Sequence, residues 1–208
     1  MLNTASRLAV VALASASLSQ SAPQNDAHRV WTFESLDTLK VINGTAEIVT
    51  YRGRRAVHLV PAPNRQGPAD SISAILADSD FANGTIEAQI AGAPRAGAPE
   101  DARGFVGISF RVRPDESRYE NMYLRPTNGR ADDQVRRNHS VQYTSEPEFP
   151  WPRLRKETPE KYESYVDLVP GAWTELRISV SDRRARLFVN GAAQPCLIVN
   201  DLKLNATQ

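Results

Sequence analysis

Between Arg118 and Asp167 the chain crowds arginine, tyrosine, asparagine, histidine and tryptophan into segments that alternate like β-strands. Read with period two, the run from Arg118 to Arg125 places Tyr119, Asn121, Tyr123 and Arg125 on one side and Met122 and Leu124 on the other. One side can join a core while the other offers ring faces and fixed hydrogen-bond donors. Rings suit the C–H patches of a sugar or other polyhydroxylated ligand, and amide and guanidinium groups suit its hydroxyls or carboxylates. The candidate face extends through Asn128, Arg130, Arg136, Arg137, Asn138, His139, Gln142 and Tyr143. Arg111 and Tyr165 lie on flanking strands, and Trp151 stands between Pro150 and Pro152. Guanidinium forks fit carboxylate, sulfate or phosphate groups on such a ligand. The same arginines could instead form a structural network with Glu120, Glu163, Asp132, Asp133 and Asp167.

Acid–base chemistry has fewer candidates. His139 has an ordinary pKa near neutrality, but no recognisable nucleophile accompanies it. Glu163 and Asp167 are four residues apart on one strand face, roughly 13 Å along the strand. That exceeds the roughly 6.5–9.5 Å between the carboxyl groups of an inverting glycosidase. Glu120 with Glu163, brought together by neighbouring strands, is the remaining carboxylate pair. No catalytic residue is assigned and no cofactor is expected. Asp132 and Asp133 could contribute to a Ca²⁺ site, although adjacent acids in a turn are ordinarily solvated.

The composition bounds the partners. Among 208 residues, 25 Lys and Arg balance 24 Asp and Glu, so no overall basic field points to nucleic acid. The 14 Pro and 11 Gly fit a soluble domain with many turns. The apolar run Leu8 to Leu18 follows Arg7 and is too short for a membrane span. It has the shape of a secretory signal over residues 1–22, with Ala14-Ser15-Ala16 as a cleavage site and residues 23–29 as a flexible N-terminus. A frayed amphipathic helix is the alternative. A periplasmic or secreted location is expected, consistent with bacterial export. Cys196 is the only cysteine, which excludes an intramolecular disulfide, and its apolar run Pro195 to Val199 suits a small buried residue. The triplets at Asn43, Asn83, Asn138 and Asn205 match the glycosylation pattern, but they read first as turns or strand ends.

Period-two runs recur along the chain, and no segment past residue 22 carries a helical period over three turns. Strands are expected at 30–34, 46–51, 56–60, 71–76, 84–90, 104–112, 119–125, 140–144, 164–168, 173–181, 184–190 and 196–199. Residues 91–102 and 146–160 read as long loops, the second a flap carrying Trp151. The buried sets Val106, Ile108, Phe110, Val112 and Thr174, Leu176, Ile178, Val180 argue for an all-β fold. The expected form is two antiparallel sheets packed face to face, with a closed barrel as the weaker alternative.

Three motifs carry a resemblance. Phe81-Ala82-Asn83-Gly84-Thr85-Ile86-Glu87, the strand Trp173 to Val180, and Leu187-Phe188-Val189-Asn190-Gly191 resemble concanavalin A-like lectin/glucanase jelly rolls. The nearest likeness is to laminin-G-like and 3-keto-disaccharide hydrolase-like bacterial domains, in an uncharacterised subgroup whose central block holds Leu124 to Arg130. The resemblance implies a single jelly-roll domain over residues 30–208. The aromatic and polar face, with the signal-like N-terminus, leads to the expectation of an exported carbohydrate-binding domain for a polyhydroxylated saccharide, neutral or anionic. A glycoside hydrolase-like enzyme using carboxylates or His139 is the alternative, and an envelope protein-interaction module is the second. The Glu-x-Asp-x-x-Glu strand of laminarinase-type glucanases is absent, so their mechanism does not carry over. Related domains close with a further strand past Asn205, so the C-terminus is either truncated or leaves a sheet edge open.

Overall fold

The computed structural model describes residues 28–63, 72–77 and 79–205. The expected signal segment, most of the flexible N-terminus and the last residues of the Asn205 triplet lie outside the described residues. The protein is mostly β, and every strand pairing is antiparallel. It divides into two compact units, Met1–Ala77 and Asp78–Gln208.

The first unit holds β1 (Leu39–Ile42), β2 (Gly44–Tyr51), β3 (Arg54–Pro61) and β4 (Ser73–Leu76). They form two two-stranded sheets, β1–β4 and β2–β3. The β2–β3 hairpin turns on Arg52 and Gly53, both at positive φ, in register Tyr51 with Arg54. That is the primed turn whose twist matches the flanking strands. The sequence did not announce β1, and the run expected as a strand at Val30 to Glu34 forms none. Val30 is mostly exposed, so its apolar side chain finds no sheet face to join.

The second unit carries β5 (Gly84–Ile90), β6 (Val106–Phe110), β7 (Tyr119–Leu124), α1 (Gln134–Asn138), β8 (Val141–Glu146), α2 (Trp151–Glu157), β9 (Glu163–Ser164), β10 (Thr174–Ser181), β11 (Arg184–Val189) and β12 (Leu197–Val199). A 3-10 turn over Pro126–Asn128 follows β7. One four-stranded sheet runs β12-β11-β10-β5 and the other β6-β7-β8-β9. Alternation builds their inner faces: Leu176, Ile178 and Val180 from β10 and Leu187 and Val189 from β11 join Phe110, Met122, Leu124, Val141 and Tyr143 in one apolar cluster. This is the all-β sandwich arrangement expected from the alternating runs. Each fully buried Leu or Ile contributes roughly 1.5–3 kcal/mol through burial.

Two departures from the expected elements matter for the site. The loop at 146–160 contains the helix α2, which starts with Pro in its first turn and buries Leu154. Proline is favoured there because its missing N–H would be unpaired in any case. The strand expected over Ser164 to Leu168 shrinks to the two residues of β9. The asparagine triplets sit at turns and element ends: Asn43 lies between β1 and β2 at positive φ, Gly84 opens β5 and Asn138 closes α1.

Candidate functional site

Register decides which side chains share the outer face of the β6-β7-β8-β9 sheet. Asn121 pairs with Ser109 and Thr144, Tyr123 with Gly107 and Gln142, Tyr119 with Glu146, and Gln142 with Glu163. Since paired residues point the same way, Tyr119, Asn121, Tyr123, Gln142, Thr144, Glu146 and Glu163 lie on one face. Gly107 leaves room for the tyrosine opposite it, because a Cβ there would stand 2.5 Å from the Cβ of Tyr123. No larger residue fits without moving backbone.

Arg125, just past β7, is the hub. Its Nη1 donates to the carbonyl of His139 at 2.9 Å, and its Nη2 donates to the Tyr123 hydroxyl at 3.0 Å and to Gln142 Oε1 at 3.1 Å. The guanidinium lies 5.0 Å from the Tyr123 ring centroid and 5.8 Å from that of Phe105. It also approaches Glu163 Oε1 at 3.5 Å. Glu163 is almost wholly buried, its side chain 4% exposed, and Arg155 of α2 binds the same carboxylate with both arms of its fork. His139 Nε2 stands 3.6 Å from Glu163 Oε2. Asn128 Nδ2 donates to the His139 carbonyl, while Asn128 Oδ1 accepts from Arg136 Nε. The expected residues Tyr123, Arg125, Asn128, His139 and Gln142 therefore form one bonded web.

Burial sets the electrostatics. Desolvation lowers the pKa of Arg125, with Tyr123 and Glu163 pulling the other way. Burial pushes the Tyr123 phenol up to about 12. Desolvation likewise lowers the pKa of His139, against the raising influence of Glu163. Glu146, half-buried on the same face, has its carboxyl pKa raised by burial.

Exposed rings flank this web. Phe105 is 55% exposed and touches Tyr123 edge-on at 5.7 Å, and Trp151 is 42% exposed with Arg155 stacked 4.7 Å from its ring centroid. Tyr165, 45% exposed, lies 6.0 Å from the guanidinium of Arg137. Trp151 thus sits in a helix, and its neighbour one turn on, Arg155, ties that helix to Glu163.

Other expected residues lie elsewhere. Tyr143 follows Gln142 in β8 and so points to the opposite, core-facing side, where its hydroxyl donates to Glu120 at 2.8 Å. Glu120 is on that inner face too, away from Glu163, so these two carboxylates do not form a pair. Arg111 is buried and donates to the carbonyls of Ala82, Asp182 and Leu204, a structural clamp. Arg130 is exposed in a bidentate pair with Asp167, and Asn138 accepts from Gln134 within α1. Asp133 caps α1 by accepting from the Arg136 amide at 3.0 Å. Among the described residues no group of three or more His, Cys, Asp or Glu could hold a metal ion. No described helix is long and apolar enough to cross a membrane.

Sequence reasoning missed Phe105 and Arg155 as members of the site. Phe105 was legible, because alternation along 105–112 puts it on the side opposite Val106. The four-residue spacing of Trp151 and Arg155 would have paired them had the proline been read as a helix start. Comparison with family models, curated proteins and solved structures found no match.

Proposed function

We propose that this chain is an exported, lectin-like domain of the concanavalin A-like jelly-roll class, binding a polyhydroxylated ligand on the outer face of the β6-β7-β8-β9 sheet. The observation that carries the reading is the pair of exposed rings, Phe105 and Trp151, each stacked by an arginine that reaches the same buried carboxylate, Glu163. Rings held this way are rigid platforms, so a sugar face can pack on them at little entropic cost. Polar side chains of the same face, Asn121 and Tyr119 among them, are half-buried and available to hydroxyl groups.

The test is binding of an oligosaccharide panel, followed by calorimetry on each hit with Phe105→Ala and Trp151→Ala. Both positions are exposed, so folding should be retained, and each change should weaken binding roughly two- to ten-fold. Hits that are indifferent to both substitutions would remove the aromatic platform from the reading. A panel without hits would remove the carbohydrate itself.

A second reading, a glycoside hydrolase-like enzyme, draws on Glu146, which shares the sheet face of Glu163 roughly 13 Å further along β8. Burial raises the Glu146 carboxyl pKa, the direction of shift a general acid needs. Shortened product released from a bound oligosaccharide, and its loss in Glu146→Gln, would favour this reading over simple binding.

A further inference from the structure

Charge is unbalanced around the Arg125 web. Glu163 is the carboxylate at its centre, and it is shared between Arg125 and Arg155. Two more arginines stand close by, and neither makes an ion pair among the described residues: Arg103 and Arg136. Arg103 adds its positive charge to the field at Arg125, and its carbonyl accepts from the Thr127 amide. Its Nη1 is closed off from solvent without a hydrogen-bond partner. Arg136 reaches neutral groups, Asn128 Oδ1 at 3.0 Å and Thr127 Oγ1 at 3.1 Å. Arg137 lies apart from these two, near the Tyr165 ring and within the field of Asp167.

Glu163 already serves Arg125 and Arg155, so the positive charge of Arg103 and Arg136 is left without a carboxylate partner of its own and repels that of Arg125. An oxyanion settling on the solvent-facing side of these guanidinium groups relieves that repulsion, because each of its oxygens accepts more than one charge-assisted bond. Phe105, on Arg125, and Thr127, bonded to Arg103 and Arg136, join the arginines to the exposed ring surface. The geometry points to an oxyanion subsite formed by Arg103 and Arg136, which meet at Thr127 beside the Arg125 web. It selects saccharides bearing carboxylate or sulfate groups over neutral ones. This deepens the carbohydrate-binding reading and rests on it for the sugar, though not for the anion.

The experiment titrates the 208-residue chain by calorimetry, at low and at raised salt, with four probes: an oligogalacturonate, a sulfated dextran oligosaccharide, a neutral malto-oligosaccharide and inorganic sulfate. Arg103→Ala and Arg136→Ala are run beside the parent, with Arg103→Lys as the charge-retaining control and thermal melting as the check on folding. The expected result is tenfold or greater preference for an acidic oligosaccharide over the neutral one. That preference shrinks at raised salt, is lost in both alanine variants and is partly kept in Arg103→Lys. Preference for galacturonate identifies carboxylate as the recognised group, and preference for the dextran identifies sulfate. Equal binding of acidic and neutral sugars, unchanged in the variants, overturns the subsite and leaves the carbohydrate reading standing. Sulfate binding that needs Arg103 and Arg136, with no saccharide bound, supports the oxyanion subsite and overturns its assignment to sugars. Silence of all four probes overturns both.

Discussion

Arg155 closes both arms of its guanidinium on the carboxylate of Glu163, eight residues further along the chain, and so pins α2 to the sheet edge at β9. The same carboxylate is the counter-ion of the buried Arg125. Removing it leaves an uncompensated buried cation, whereas removing Arg155, which is about a third exposed, does not. Glu163→Ala should therefore lower stability by about 3–5 kcal/mol and Arg155→Ala by clearly less. Urea unfolding of both variants checks the ranking. An equal loss in the two would mean that Arg125 finds another counter-ion.

Glu120 and Tyr143 meet on the inner face, where the phenol donates to Glu120 Oε2 and the Leu204 amide donates to Oε1. Burial raises the Glu120 pKa above 4.5, outweighing the hydrogen bonds that favour its charge. A raised carboxyl pKa means that the group favours folding most when protonated in both states. Its contribution is present below the unfolded value and is lost as pH rises through the folded one. Glu120→Gln should thus gain stability relative to the parent as pH is raised from 4 to 8, read from urea midpoints at each pH. A constant difference across that range would show that Glu120 titrates normally.

Arg111 holds three carbonyls that are distant in sequence, those of Ala82, Asp182 and Leu204, together with Asn83 Oδ1. A lysine cannot reproduce that planar fork. Arg111→Lys should cost at least about 3 kcal/mol, because each lost bond from a charged donor is worth roughly 1.5–3 kcal/mol. Hydrogen exchange should accelerate first around residues 82–83 and 202–204. Uniform acceleration across the second unit would point to global destabilisation rather than a local clamp.

His139 faces Glu163 from β9, Arg155 from α2 and Arg125 beside β7, with Glu160 adding to the field. Desolvation wins, so its pKa falls below 6.5. A lowered histidine pKa makes stability fall as pH drops through the unfolded value towards the folded one. Proton NMR of the imidazole should show a midpoint below 6.5 in the parent and a lower one in Glu163→Gln, which removes the group that favours the imidazolium. A midpoint that rises in the variant would reverse this assignment.

Alternation alone assigns the two faces of Tyr119–Leu124, because a strand's faces follow from a period of two, whereas Arg125 lies just past the strand end. The same rule would have separated Gln142 from Tyr143, since neighbours in a strand cannot share a face. Helix α2 was less visible. Seven residues offer too few turns for a helical period, and the prolines that mark its start also mark loops.

The sequence by itself determined the all-β character, most strand positions and the Tyr119, Asn121, Tyr123 row, all properties of local alternation and turn chemistry. Tertiary structure decided which arginines serve which ends. Arg111, Arg125, Arg130 and Arg155 are alike in sequence, yet one clamps carbonyls, two share a buried carboxylate and one forms an exposed pair with Asp167. A guanidinium's role is set by the acceptor it meets and by the water it loses, and both are fixed by contacts between residues far apart along the chain.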